Sequence, residues 1–416
     1  MIQEIIRIGT RNITRNPRRT IVTALSVALG ACVSTVLIGT RQNVYDRLIA
    51  NAAKSGYGVI SISEPGFLAD PMPSSRIKFD ESLLQSLKKA PGIQSASPRT
   101  AVAAVVYTAK NSTGAQLVGI DTRYENASNN LMLGAMKGGA RLQPSVADDC
   151  LVGSLMMTQL GLKFGDRLIF TTTDAIGQMV SNVLHVSGVF ETGSPDADGH
   201  LVLMQLSTLQ KTLGFESNET SFIAVNAEAD AVSPRLVSPV ERRLMKSVAA
   251  KSHVAYWREN FPQVAQIIDV DSTLYGVLLV FASLIIGIGV LNAMMLNIIE
   301  RRREFGIMLA TGMPPLGVVG MVAWEGMLLG CIGLAIGALG AVPMYRYLHD
   351  RGIDISEFIG EKKGNSFAIV DQVIGCRLSV NQVLGIVVAL MAAGLLAGIY
   401  PAMRAATTDP IKVIRS

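Results

Sequence analysis

The sequence predicts an α-helical membrane protein of four transmembrane helices, with a large α+β extracytoplasmic domain inserted between the first two. Three observations carry this. Residues 20–40, 272–299, 326–345 and 378–403 contain no charged side chain, and about 20 apolar residues at ~1.5 Å each cross the hydrocarbon core. Between the first two runs lie more than 200 residues of ordinary mixed polarity. Basic residues crowd one side of the apolar runs: Arg7, Arg11, Arg15, Arg18 and Arg19 before the first, Arg301, Arg302 and Arg303 after the second, and Arg404, Lys412 and Arg415 after the last.

With Glu4, Glu300, Glu304 and Asp409, these flanks balance at +7, against +5 for the whole chain of 416 residues. Short basic loops stay cytoplasmic, so both termini and the loop after residue 300 are expected inside and the large domain outside. The sequence pI of 9.0 and mean hydropathy of +0.38 therefore express topology rather than nucleic-acid binding, which would need the basic residues on one folded face.

In chain order, residues 1–19 read as a cytoplasmic amphipathic helix, with Ile2, Ile5, Ile6, Ile8 and Ile13 between the arginines. Residues 20–40 form the first span, expected to continue as helix through Ile49. Leu29-Gly30-Ala31-Cys32 resembles a lipoprotein-precursor cleavage site, but the apolar run continues through Ile38, so Cys32 reads as a packing residue. Residues 41–270 form the extracytoplasmic domain, long enough for two subdomains. In it, 59–63, 101–108, 116–120, 168–173, 183–190, 201–204 and 222–225 are rich in β-branched and aromatic residues and read as strands. Residues 81–90 and 154–162 read as helices, and 240–250 as a helix after a proline-marked break at 232–239. The second span is 271–299, followed by a cytoplasmic helix at 300–314, the third span at 315–345, a second exterior loop at 346–377, the fourth span at 378–403 and a cytoplasmic tail at 404–416. Cys150 and Cys376 lie outside the spans, and a bridge between them is left open.

The third span carries Gly326, Gly330, Gly333, Gly337 and Gly340, spaced 4, 3, 4 and 3, on one helix face. In lipid, association depends on close backbone approach over small residues, so this is a packing seam, and Gly394 and Gly398 offer a matching surface on the fourth span. Glu325 lies inside the membrane, where an acid is by default functional; with no second acid to form a relay, it reads as a coupling or pairing residue. Asn292 and Asn297 read as interhelical hydrogen-bonders at the same depth.

Chemistry is scarce. The sequence lacks the phosphate-cradling Gly-x-x-x-x-Gly-Lys-Ser/Thr loop and the Gly-x-Ser-x-Gly elbow, and His185, His200, His253 and His349 are dispersed. Asp196, Asp198 and His200 sit in a Gly/Ser/Pro-rich run that reads as a plain loop. No catalytic residue, metal site or cofactor on this chain is expected. The sharpest signal is Glu300-Arg301-Arg302-Arg303-Glu304-Phe305-Gly306, leading through Ala310 to Gly312 and Pro314-Pro315. A helix charged at its start and apolar beyond, with its own stop signal, suits docking into a groove on a cytoplasmic partner.

Asn292, Glu300, Arg301, Glu304, Gly306, Ala310 and Gly312 resemble the second span and coupling helix of the MacB/FtsX superfamily of ABC transporter permeases, with Phe305 in place of the usual isoleucine. Arg11-Asn12, Asn16-Pro17-Arg18-Arg19, Glu325-Gly326 and Pro401-Ala402…Ala405…Pro410-Ile411 are similar to other family patterns. Gly119-Ile120-Asp121, Gly165-Asp166 and Gly188…Thr192-Gly193 look most like the lipoprotein-releasing permeases. The resemblance implies a cytoplasmic ATPase dimer that binds ATP and Mg on a separate chain, a second permease in a homo- or heterodimer, and lipoprotein or similar amphiphilic cargo taken from the outer leaflet of the bacterial inner membrane. A mechanotransmission efflux permease and an FtsX-like regulator of a cell-wall hydrolase are the alternatives; the long exterior domain speaks against the latter.

Overall fold

The computed structural model describes residues 7, 17–90, 92–227, 252–354 and 373–407. The expected helix over most of 1–16, the break and helix at 232–250, most of the second exterior loop and the end of the tail lie outside the described residues. The chain forms two compact units. One comprises residues 1–44, 269–357 and 372–416; the other comprises 45–268 and 358–371.

The helices are α1 (Pro17–Ser55), α2 (Glu81–Lys88), α3 (Leu131–Gly134), α4 (Ser154–Leu160), α5 (Pro195–His200), α6 (Leu206–Leu213), α7 (Trp257–Asn260), α8 (Pro262–Glu300), α9 (Arg302–Ala310), α10 (Pro315–Asp350) and α11 (Val380–Ala406). The strands are β1 (Ile60–Ser63), β2 (Ile77–Lys78), β3 (Ile93–Tyr107), β4 (Ser112–Ile120), β5 (Met136–Gly139), β6 (Asp149–Gly153), β7 (Arg167–Thr173), β8 (Met179–Phe190), β9 (Leu201–Gln205), β10 (Glu219–Thr220), β11 (Phe222–Ala227), β12 (His253–Tyr256), β13 (Ile353–Asp354) and β14 (Val373–Ile374).

In the exterior unit, β3 pairs with β4, β4 with β9, β9 with β6, β6 with β8, β8 with β7, and β7 returns to β3, which closes a six-stranded ring. Period-two alternation points Val102, Ala104 and Val106 of β3, Leu168 and Phe170 of β7, and Leu184 and Val186 of β8 into one apolar cluster. Leu160 of α4 and Leu209 and Leu213 of α6 complete it. The other end of β3 pairs with β11, which pairs with β1, and β1 with β12. There a second cluster joins Leu83, Leu84 and Leu87 of α2 to Ile60, Ile62, Ile223 and Val225, and to Leu48, Ile49, Val264 and Ala265. Where two subdomains are expected, a barrel and an open sheet share one 15-residue strand.

Three described helical stretches are long and apolar enough to cross a membrane: Thr20–Ser55, Pro315–Asp350 and Val380–Ala406. The remaining expected span falls within α8, several of whose side chains are outside the described set.

The glycine seam packs differently from expectation. A Cβ on Gly333 would lie 2.6 Å from Val27 Cβ, and one on Gly337 2.9 Å from Ala31 Cβ, so the middle of the seam meets the small residues of α1 rather than Gly394. Gly330 faces Met391 of α11, and both Gly326 and Gly398 face Met294 of α8. Gly340 and Gly394 have open space within this chain where a Cβ would stand. A heptad-spaced stripe drifts by about 20° per heptad on a straight helix, so one stripe visits successive neighbours and then leaves them. Beyond the seam, Asn43 Oδ1 accepts from Gly375 N at 3.2 Å, and Gln382 Nε2 donates to Gln42 Oε1 at 2.9 Å, stitching the segment before α11 and the first turn of α11 to α1. The four cysteines are free, Cys150 inside the barrel and Cys376 against α1.

Candidate functional site

The expected docking segment is a short helix set between two long ones. α8 ends at Glu300, Arg301 breaks the helical geometry (φ −102°, ψ 14°), and α9 begins at Arg302. The far end is closed by a Schellman pattern: Gly312 N donates to Leu309 O at 3.2 Å and Met313 N to Met308 O at 3.0 Å. Gly312 supplies the positive φ of 94° this requires. Pro315 then opens α10, where its missing N–H is no loss.

Arg301 points inward. It is 8% exposed; its Nη1 donates to Glu325 Oε2 at 3.1 Å and its Nε to Glu304 Oε2 at 2.9 Å. Asn297 Nδ2 donates to Glu325 Oε1 at 2.7 Å, and the guanidinium lies 5.2 Å from the centre of the Phe305 ring. Phe305 is buried among Met294, Ile298, Val318, Met321, Ala402 and Ala405, and Gly306 is buried beside it. One cluster thus ties the end of α8, α9, the start of α10 and the end of α11. Glu325 is placed as a pairing residue, held by a cation and an amide from the preceding helix end.

The residues of the expected docking segment therefore divide. Arg301, Phe305 and Gly306 face the chain's own core, and Glu304 is partly covered. Glu300, Arg302, Arg303, Ile307, Ala310 and Gly312 are exposed, and they form the surface available to a partner. Asn292, expected to bond between helices beside Asn297, is instead exposed: it lies five residues before Asn297, which on a helix points its side chain about 140° away from the Glu325 contact.

The exterior unit holds a second buried ion pair, for which the sequence carries little signal. Arg99 of β3 is 1% exposed and grips Glu125 with Nε to Oε1 at 2.6 Å and Nη2 to Oε2 at 2.9 Å. Its Nη1 donates to the carbonyl of Gly56, the residue after α1, and Asn130 Nδ2 donates to Glu125. The only sequence clue is an arginine inside an otherwise strand-like run. Asp198, expected in a plain loop, is buried and accepts from Thr192 N and Oγ1 at 2.8 Å each and from Gly193 N at 3.1 Å, which folds α5 into place.

Family comparison agrees with this layout. Residues 20–242, over half the chain, match the model of the MacB-like periplasmic core domain, and residues 276–410 match that of the FtsX-like permease C-terminal region. The chain belongs to the MacB/FtsX family of ABC transporter permeases. It is similar to the pyoverdine export ATP-binding/permease protein PvdT of Pseudomonas putida, at 21% identity over 96% of this chain and 58% of that protein. It is also similar to the macrolide export ATP-binding/permease protein MacB of Bordetella avium, at 22% over 98% of this chain and 59% of that protein. The lipoprotein-releasing system transmembrane protein LolC of Xylella fastidiosa is 25% identical over 64% of each chain. The chain thus spans less than two thirds of the length of these curated relatives. As a MacB/FtsX-type permease with a periplasmic domain and apolar helices, it is a protein of the bacterial inner membrane, in a family whose permease subunits are typically non-catalytic.

Proposed function

We propose that the chain is a four-span permease that couples ATP hydrolysis, performed by a nucleotide-binding dimer outside these 416 residues, to extraction of lipoprotein or similar amphiphilic cargo from the outer leaflet. The observation that carries this reading is the division of α9. Arg301 and Phe305 lock one face into the helical bundle, while Arg302, Arg303 and Ile307 stand outward, Ile307 at 49% exposure. An exposed apolar side chain one turn beyond two exposed arginines fits an apolar groove with an acidic rim, and a displacement of α9 passes directly to α8 and α10 through Arg301. The basic flanks of the apolar runs support a cytoplasmic side for α9 and both termini. The permease works as a homo- or heterodimer, and ATP and Mg are bound by the nucleotide-binding partner.

A second reading, efflux of a periplasmic compound, draws support from the greater share of this chain that aligns with the two export proteins. Cargo separates the two. The test is coexpression with a cognate ATP-binding subunit, copurification, and reconstitution in liposomes with a triacylated lipopeptide. Lipopeptide-stimulated hydrolysis, lost in Arg302→Glu/Arg303→Glu together with copurification, is the expected result. Stimulation by soluble export substrates and not by lipopeptide favours efflux, and normal copurification of the double variant removes α9 as the docking element.

A further inference from the structure

The periplasmic domain contains a cavity of about 340 Å³ that the coupling reading does not use. Its lining includes the rings of Tyr57, Phe222 and Phe261 and the polar side chains of Gln116, Asp196 and His200. Tyr57 packs against Phe222 at 4.8 Å between centroids and against Phe261 at 6.3 Å, so the rings make a continuous aromatic wall. The polar part is fixed before any ligand arrives. The three hydrogen bonds to Asp198 set the turn that carries Asp196, and His200 Nδ1 lies 2.9 Å from Gly114 O. A carbonyl only accepts, so Nδ1 carries the proton, which leaves Nε2 as the acceptor whenever the ring is neutral. The Asp196 carboxylate and the His200 Nε2 thus both belong to the cavity, and none of its described lining residues is lysine or arginine. The nearby Arg99, which holds the Gly56 carbonyl, has its charge neutralised by Glu125.

A carboxylate, an imidazole acceptor and aromatic faces without an opposing cation select positive charge, and the volume lies within the roughly 300–1,000 Å³ of small-molecule sites. We propose that this cavity binds a small cationic amphiphile: its ammonium group donates to Asp196 and His200 Nε2, and its apolar body lies on the aromatic wall. The site stands independently of the ATP-coupled reading.

The probe is 4-phenylbutylamine, with 4-phenylbutyrate as the anion of the same body, titrated onto the full chain in phosphatidylcholine nanodiscs and followed by ligand-observed NMR. Saturable amine binding is expected, at least about ten-fold tighter than that of the carboxylate. Asp196→Asn, an isosteric change at an exposed position, should remove most of that preference with unfolding temperature unchanged. Ala197→Trp, which fills the cavity, should abolish binding. Equal affinity for amine and carboxylate, an undiminished preference in Asp196→Asn, or no saturable binding of the amine overturns the proposal. Amine uptake that Ala197→Trp leaves unchanged is partition into lipid and overturns it equally.

Discussion

Replacing Glu325 by glutamine keeps the shape of the side chain and removes the charge that neutralises Arg301. Both residues are less than a tenth exposed, and the guanidinium retains only Glu304, whose side chain is 32% exposed. Opposite charges about 4 Å apart at an effective dielectric constant near 20 attract by ~4 kcal/mol, and removing one partner of a buried pair costs roughly 3–5 kcal/mol. The glutamine oxygen recovers part of this by accepting from Asn297 or Arg301, so about 3 kcal/mol of destabilisation is expected. The double variant Arg301→Leu/Glu325→Leu removes both charges together and should lose less than either single change implies. A double-mutant cycle of Arg301→Leu and Glu325→Leu, by denaturant unfolding in mild detergent, should therefore give a coupling energy of at least about 2 kcal/mol. A value under about 0.5 kcal/mol would mean that the pair is hydrated like a surface salt bridge, and the account of the α8–α9–α10 junction would be refuted.

Gly333→Leu should force α10 away from Val27 and Ala24, at a cost of about 1–3 kcal/mol or more, whereas Gly340→Leu, facing open space, should stay within about 0.5 kcal/mol. Thermal unfolding and membrane yield compare the two, and equal behaviour would sink the packing role of the seam. Arg99→Met leaves Glu125 buried with Asn130 as its remaining named partner and should destabilise the periplasmic unit by about 3–5 kcal/mol, while Arg99→Met/Glu125→Met recovers much of this. Hydrogen exchange across β3 and residues 121–130 of the full chain reads the difference; unaltered protection in Arg99→Met would count against the pair.

What was legible in the sequence was whatever rests on period and punctuation. The strand runs 59–63, 101–108, 168–173 and 222–225 alternate or are densely β-branched, and each falls within a strand to within one residue at the overlapping end. The end of α9 was readable because Gly312 and Pro314-Pro315 are local signals. β6 was not legible: Cys150, Leu151 and Val152 are buried on both faces, so the strand has no alternation to detect. β5 has two glycines and no propensity to offer, and α6 follows β9 without a breaker even though Leu206, Leu209 and Leu213 keep helical spacing. Within the candidate site, the sequence placed charges beside apolar residues but could not say which way each turns. Arg301 and Arg302 are adjacent and chemically identical, yet one is buried by Glu325 and the other exposed, because the partner of Arg301 lies 24 residues away. Arg99 and Glu125 failed for the same reason, since a long-range ion pair has no period.

Both buried ion pairs sit where a helix end has to be held in one orientation. Arg301 occupies the break between α8 and α9, and Arg99 reaches the carbonyl just past the end of α1. Apolar packing would be at least as stabilising there, since desolvation consumes much of what a buried pair gains. The difference lies in tolerance. A leucine cluster can slide by an ångström with little loss, whereas a guanidinium shared between Glu304 and Glu325 loses a charged hydrogen bond with the same shift. A junction that only had to be stable would gain nothing from charge; one that must pass small displacements from α9 to its neighbours gains directional stiffness. On this reasoning the Arg301→Leu/Glu325→Leu chain separates two properties that a purely structural pair would keep together: near-normal unfolding, but weakened cargo-stimulated hydrolysis in the reconstituted complex. If stability and stimulation instead recover in step, the pair contributes packing alone.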